Sequence, residues 1–216
     1  MDEGFLSSLR KAVAAVAAEL GVDGTNGGLD VPSLSPAWAQ LGEPPTALKS
    51  DPHKGIGAIR DADPAFEIDD FLIHVGEMFS AYHGALDKGN LAPVRRFVDE
   101  DAYAKLEPTA EAGRRIEGPR TLHIHAIRPI TARHDDGLDL VRIFITAEQP
   151  GTDELLCEYW ELVRKRGVLT KPGLSITKCP NCGGPVDGLD PTRCAYCDTR
   201  LADPALDWVV RKITAQ

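Results

Sequence analysis

The sequence predicts an α+β fold, and three observations carry that prediction. Apolar residues recur at helical spacing through the first half of the chain. From residue 121 onward the pattern changes to strand-like alternation broken by turn signals. Two Cys-x-x-C pairs then interrupt this second half near its end. Helices followed by an antiparallel meander place helices on one face of a curved sheet.

Residues 4 to 20 read as a helix, within an N-terminal segment 1–21. Leu6, Leu9, Val13, Val16 and Leu20 fall at alternating three- and four-residue steps, the seam of a docking helix or coiled coil. Gly21 stops it. Such a helix packs on its own domain, docks a partner or second copy, or lies on a membrane surface. Asp2, Glu3 and Glu19 oppose the last reading, against Arg10 and Lys11. Residues 22–61 are rich in Gly and Pro, lack periodicity, and read as a linker with partial order, pinned in its middle by Trp38 and Leu41.

Asp63-Pro64 is a helix start by composition, with Asp as N-cap and Pro at the first helical position. Phe71, Val75, Met78 or Phe79, Tyr82 and Leu86 then repeat at helical spacing, and Gly89 caps the end. Glu67, Asp69 and Asp70 favour the helix dipole there and need no catalytic role. Residues 91 to 113 read as two shorter helical pieces. One carries Val94, Phe97 and Val98; the other carries Tyr103 and Leu106 and is broken or bent by Pro108. Gly118-Pro119 ends the helical half.

Thr121 to Arg133 is the first strand and Asp135-Asp136-Gly137 a hairpin turn. Leu138 to Glu148 is the second, with Val141, Ile143 and Ile145 on one face and Leu140, Arg142 and Phe144 on the other. Residues 149–153 turn back, and Glu154 to Arg166 is the third. Leu206 to Ile213 is too apolar for a loose tail. As a strand it needs the open edge of the third strand, which makes the cysteine segment an insertion in the last hairpin. As an amphipathic helix it would instead cap that segment.

The segment itself runs from Cys179-Pro180-Asn181-Cys182-Gly183-Gly184 to Cys194-Ala195-Tyr196-Cys197-Asp198. Two disulfides or a redox pair are the competing readings. Matched pairs on turn-rich flanks favour one structural Zn²⁺ held by Cys179, Cys182, Cys194 and Cys197, a closed set without an open position. Gly183 supplies the positive φ that such a turn needs, and Asp198 tolerates it better than most residues. The expected ribbon spans 173–201 within a domain of 62–214.

The chain has 216 residues, an apolar fraction of 43% and a formal charge of -9. Those bounds fit one medium domain plus a small one. Four thiolates on one Zn²⁺ would bring the charge to about -11. Such a surface disfavours nucleic acid and anionic lipid. Lys178 and Arg193 flank the cysteines, but Asp187, Asp190, Asp198 and Asp203 offset them. No apolar run reaches membrane-spanning length. Met1-Asp2-Glu3 lacks the basic start of a signal peptide, and thiolate ligands suit a reducing compartment, so the expected location is cytoplasmic.

Several motifs together resemble a known family. Asp63-Pro64 with Phe71-Leu72 and Phe79, Gly89-Asn90-Leu91 through Arg96-Phe97-Val98, and Asp101-Ala102-Tyr103 are similar to the helical half of the domain named after the forty-four-kilodalton subunit of the mitochondrial inner-membrane import translocase. Glu158-Tyr159-Trp160-Glu161-Leu162-Val163-Arg164 resembles its penultimate strand, with Leu162 replacing the usual aromatic. Asp207-Trp208-Val209-Val210 through Ile213 resembles its last strand, and bacterial members carry a Cys-Pro-Asn-Cys-Gly ribbon between the two. The likeness covers about residues 62 to 214. It implies a cone-shaped curved sheet akin to nuclear transport factor two and cystatin, which docks proteins or membranes without catalytic residues. The import role is not carried over to this acidic chain with its short N-terminal region.

His123 and His125 share a strand face but lack an identifiable third ligand, and Cys157 reads as a buried apolar filler. His74 and His83 read as surface or satisfied histidines. Glu158 and Arg164 share a face six residues apart, too far for direct contact. No phosphate loop or nucleophile elbow is present. The favoured function is a noncatalytic scaffold that binds a protein partner, or itself, through its sheet, cone and N-terminal helix. An isomerase- or hydrolase-like cone that binds a small molecule is the alternative, with Tyr82, His74 and Tyr103 as candidate acids or bases. A peripheral membrane adaptor is another, not favoured.

Overall fold

Alternation along the second strand builds the core. In the computed structural model, residues 52–113, 122–149, 155–173, 175–186 and 188–215 are described, without the side chains of 107–113. The expected N-terminal helix, residues 22–51 of the expected linker, Gly118-Pro119 and residues 150–154 lie outside them. Strands His123–Asp135 (β1), Leu138–Glu148 (β2), Leu155–Lys165 (β3) and Val209–Ala215 (β4) form one antiparallel sheet in the order β1-β2-β3-β4. Val141, Ile143 and Ile145 of β2 join Trp160 and Leu162 of β3 on the buried face, all at 0% exposure. The fold is α+β, as the sequence predicts, and the cysteine segment lies between β3 and β4.

The β1–β2 turn is Asp136-Gly137, with φ of 48° and 75°. Two successive positive φ values are the twist-matched solution for a two-residue hairpin loop. β4 pairs with β3 from Val163↔Val209 to Glu158↔Ala215, which overturns the helical alternative for this stretch. The outer edge of β4 is covered in part. Phe97 carbonyl accepts from the Val210 amide at 2.8 Å, and the Asp99 amide donates to Val210 carbonyl at 3.0 Å. Capping an edge this way removes a template for unwanted pairing.

Helices cover the buried face. Helix Ile68–Asp87 (after a first helix, so α2) buries Phe71, Leu72, Val75, Met78, Phe79, Tyr82 and Leu86. It starts four residues later than Asp63 as N-cap suggests. Asp63 is not its N-cap: its Oδ2 turns inward to Arg164 and Thr170, and its Oδ1 accepts the Ala65 amide at 3.3 Å in a turn ahead of the helix. Glu67 takes the N-cap position without a side-chain cap bond. Gly89 follows the helix at φ 61°, the C-terminal role expected of it.

The first helix, Pro52–Ala62 (α1), falls inside the stretch read as a linker. Its apolar signal is two residues long, Ile56 and Ile59, too short to register as periodicity, yet both are buried in the core. A Cβ on Gly55 would lie 1.9 Å from the Ala132 carbonyl oxygen of β1, so only glycine lets the backbones approach this closely. A 3₁₀ turn at Ala92–Arg96 and helix Glu100–Gly113 (α3) complete the helical layer. The backbone of α3 runs through Pro108 instead of breaking there.

Candidate metal centre and the cleft beside it

Two matched turns bring the four cysteines together. In the first, the Gly183 amide donates to Cys179 carbonyl at 2.9 Å and the Cys179 amide to Gly184 carbonyl at 2.7 Å. In the second, the Asp198 amide donates to Cys194 carbonyl at 2.9 Å and the Cys194 amide to Thr199 carbonyl at 2.9 Å. Gly183 and Asp198 occupy equivalent places at φ 74° and 56°, as their residue types predict. Each turn is closed by a short antiparallel bridge, Lys178↔Pro185 and Arg193↔Arg200.

The ligating atoms of Cys179, Cys182, Cys194 and Cys197 all lie within 4.8 Å of one another. Cys179 and Cys197 sulfurs are 3.7 Å apart, as are those of Cys182 and Cys194. A tetrahedral ion with Zn–S bonds of about 2.3 Å needs sulfur–sulfur edges of about 3.8 Å. A disulfide needs about 2.05 Å. The arrangement therefore fits a four-sulfur metal site and not two disulfides. The thiols also compete for charge. The Thr199 hydroxyl and amide pull Cys197 down to about 6. The Gly184 amide favours the Cys182 thiolate, but the crowding sulfurs of Cys197, Cys194 and Cys179 outweigh it and push Cys182 up to about 12. A divalent cation bound between the four sulfurs would offset the charge of thiolates held this close together.

The ribbon is fastened to the main domain through polar contacts absent from any motif. Arg164, at the end of β3, lies 2.9 Å from Asp63 Oδ2 with both side chains buried. Thr170 donates its hydroxyl to the same carboxylate oxygen at 2.6 Å and its amide at 3.0 Å. Burial works against the charge on Asp63, yet Thr170 and Arg164 together hold its carboxyl below the usual range. The Arg164 guanidinium also lies 4.8 Å from the centroid of the Trp208 ring. One ion pair thus joins the α1–α2 junction, β3, the loop leading into the ribbon at Thr170 and Trp208 just before β4.

A second clamp is centred on His74. Its Nε2 is 3.4 Å from Asp207 and its Nδ1 3.8 Å from Glu77. Burial alone would discharge this imidazole, but the two carboxylates outweigh it and raise its pKa to about 9. Glu77 in turn accepts the Ile176 amide at 3.3 Å. Burial opposes the Glu77 charge, and His74, Ile176 and Ser175 override it to lower its pKa. Ser175 and Ile176 open the ribbon and Asp207 follows it, so α2 grips both of its ends.

Between α2, residues 170–173 and Asp207-Trp208 lies a cleft of about 350 Å³. His74 lines it, but both ring nitrogens face carboxylates. Tyr82 is buried in the core near Trp160, and burial and then the Glu158 charge raise its pKa. His83 Nε2 lies 3.1 Å from Glu158, which also accepts the Trp160 indole N–H at 2.7 Å. Glu158 and Arg164 thus have separate partners, as their spacing predicts. His123 and His125 are exposed, and His125 pairs with Glu148 at 2.9 Å. Among the described residues the four cysteines are the one metal-ligating cluster. Cys157 is only half-buried, on the sheet face opposite Glu158 and Trp160, and so fills less than expected.

Asp63, Arg164, Thr170, Glu77 and Asp207 are the site residues that sequence reasoning missed. Asp63 and Thr170 lie 107 positions apart, so no local pattern links them. The available signal was charge at inward strand and helix positions, Glu158 and Arg164 above all. No helix among the described residues is long and apolar enough to cross a membrane. No protein-family model, curated protein or solved structure matches the chain.

Proposed function

We propose that this is a noncatalytic cytoplasmic binding protein, stapled by one structural Zn²⁺, that docks a protein partner through its sheet domain and N-terminal helix. The observation that carries the reading is the closed four-sulfur set. Cys179, Cys182, Cys194 and Cys197 would supply every ligand, which leaves no position for substrate or water. When bound, zinc supplies a cross-link between the two turns and no chemistry. The spent state of the other reactive groups adds support. His74 is flanked by carboxylates on both nitrogens, Tyr82 is buried in the core, and the Thr170 hydroxyl donates to Asp63.

The resemblance to the import-translocase domain family belongs to the same proposal, with its cone-shaped sheet. Helices first, then a meander interrupted by a ribbon before its last strand, is the order that family implies. The test has two arms on the full-length chain. Metal analysis of protein purified without added metal should return one zinc per chain; iron or a substoichiometric metal content would reject the zinc assignment. Affinity capture from the native host should recover a defined partner that Leu9→Asp with Val13→Asp loses. Capture unaffected by those changes would reject the N-terminal helix as the docking element.

A further inference from the structure

The cleft beside the metal centre has a chemistry of its own. Its wall is aromatic, with Phe71 and Trp208 ring centroids 4.9 Å apart and Phe66 5.6 Å from Phe71. Its mouth carries Glu67 and Asp70, both exposed and in no ion pair among the described residues. Deeper in, His74 neutralises only part of the charge of Glu77 and Asp207. Arg164, which lies 4.8 Å from the Trp208 centroid and 5.7 Å from that of Phe66, is paired with Asp63, and Lys171, on the cleft's lining, donates to the Pro180 and Asn181 carbonyls of the first cysteine turn. The cleft is therefore acidic at its mouth and apolar along its wall. The amide dipoles at the start of α2 do not make it an anion site, because Glu67, Asp69 and Asp70 already complement them. It also offers no free nucleophile, which points to binding and not to chemistry.

We infer that this cleft binds a guanidinium or alkylammonium group on a short apolar stem, with Glu67 and Asp70 taking the charge and Phe66, Phe71 and Trp208 taking the stem. Cations are attracted to carboxylates and to aromatic faces alike, and a volume near 350 Å³ suits one such group. The same chemistry is carried by a free small diamine and by the arginine or lysine of a partner protein. The site goes beyond the docking role proposed above and does not depend on it.

Calorimetric titration of the full-length, metal-loaded protein tests the site, with agmatine and N-acetyl-arginine amide as cations and N-acetyl-citrulline amide as neutral isostere. Saturable binding of at least one cation is expected, at least tenfold tighter than the citrulline compound. Glu67→Gln with Asp70→Asn should weaken it at least fivefold; both residues are exposed, and unchanged circular dichroism and zinc content would verify the fold. Preference for agmatine would assign a free small cation, and preference for the blocked arginine would assign a partner's basic side chain. Absence of saturable cation binding, equal binding of citrulline, or affinity unchanged in the double variant would overturn the site.

Discussion

Asp63 and Arg164 are each other's main electrostatic partner inside the protein, and single substitutions there are costly in a specific way. Asp63→Asn leaves a buried guanidinium unpaired, which typically costs about 3–5 kcal/mol. Urea unfolding should show that loss, and Asp63→Asn with Arg164→Met should recover much of it. The Asp63 pKa is lowered in the folded state, so its contribution is present above the unfolded value of 3.8 and is lost as pH falls through the folded one. His74 works in the opposite direction. Its pKa is raised from 6.5 to about 9, so its stabilisation is full below 6.5 and disappears as pH rises through 9. That is on the order of 3 kcal/mol. Unfolding compared at pH 7 and pH 10 should show the difference, and His74→Gln should flatten it. Gly55→Ala should cost about 1–3 kcal/mol, because the added methyl meets backbone and not a side chain that could turn aside.

The ribbon and β4 behave as one element. The ribbon has its own small apolar cluster, Cys179, Cys194 and Leu201, far too little to fold without a metal. Turns over residues 202–208 lead from its far end into β4, and the Lys165 amide donates to Pro204 carbonyl at 2.7 Å there. Cys182→Ser should therefore release the metal, unfold residues 175–201 and raise amide exchange in β4. Unchanged exchange over residues 209–213 would show that the sheet edge holds without the ribbon. The Asp63–Arg164 pair should survive in part, since two of its supports, α1 and β3, lie outside the ribbon.

Across the whole molecule, charge and layering limit what the protein binds. A formal charge of -9, and about -11 with a zinc thiolate centre, opposes polyanions. The protein should pass through heparin and DNA columns at physiological ionic strength; retention there would contradict the acidic-surface argument. The α1–α2 junction, β3, the loop before the ribbon and the residue before β4 share one hub, where Asp63, Arg164, Thr170 and Trp208 meet. A change at that hub should reach both the metal centre and the cleft.

The sequence by itself determined the features governed by short-range rules. The four cysteines and their turns were legible because ligand spacing and positive-φ residues act within a few positions. The β1–β2 hairpin was legible from Asp135-Asp136-Gly137, and the inward face of β2 from strict alternation. Only the tertiary structure decided the start of α2, the existence of α1 and the partners of the buried charges. Asp63 carries a good N-cap signal, but its carboxylate is shared between a distant guanidinium and hydroxyl on one oxygen and the Ala65 turn amide on the other. Ile56 and Ile59 make a helix only because β1 is there to bury them. Such choices depend on contacts between residues far apart in the chain, and no local pattern encodes which of them will meet.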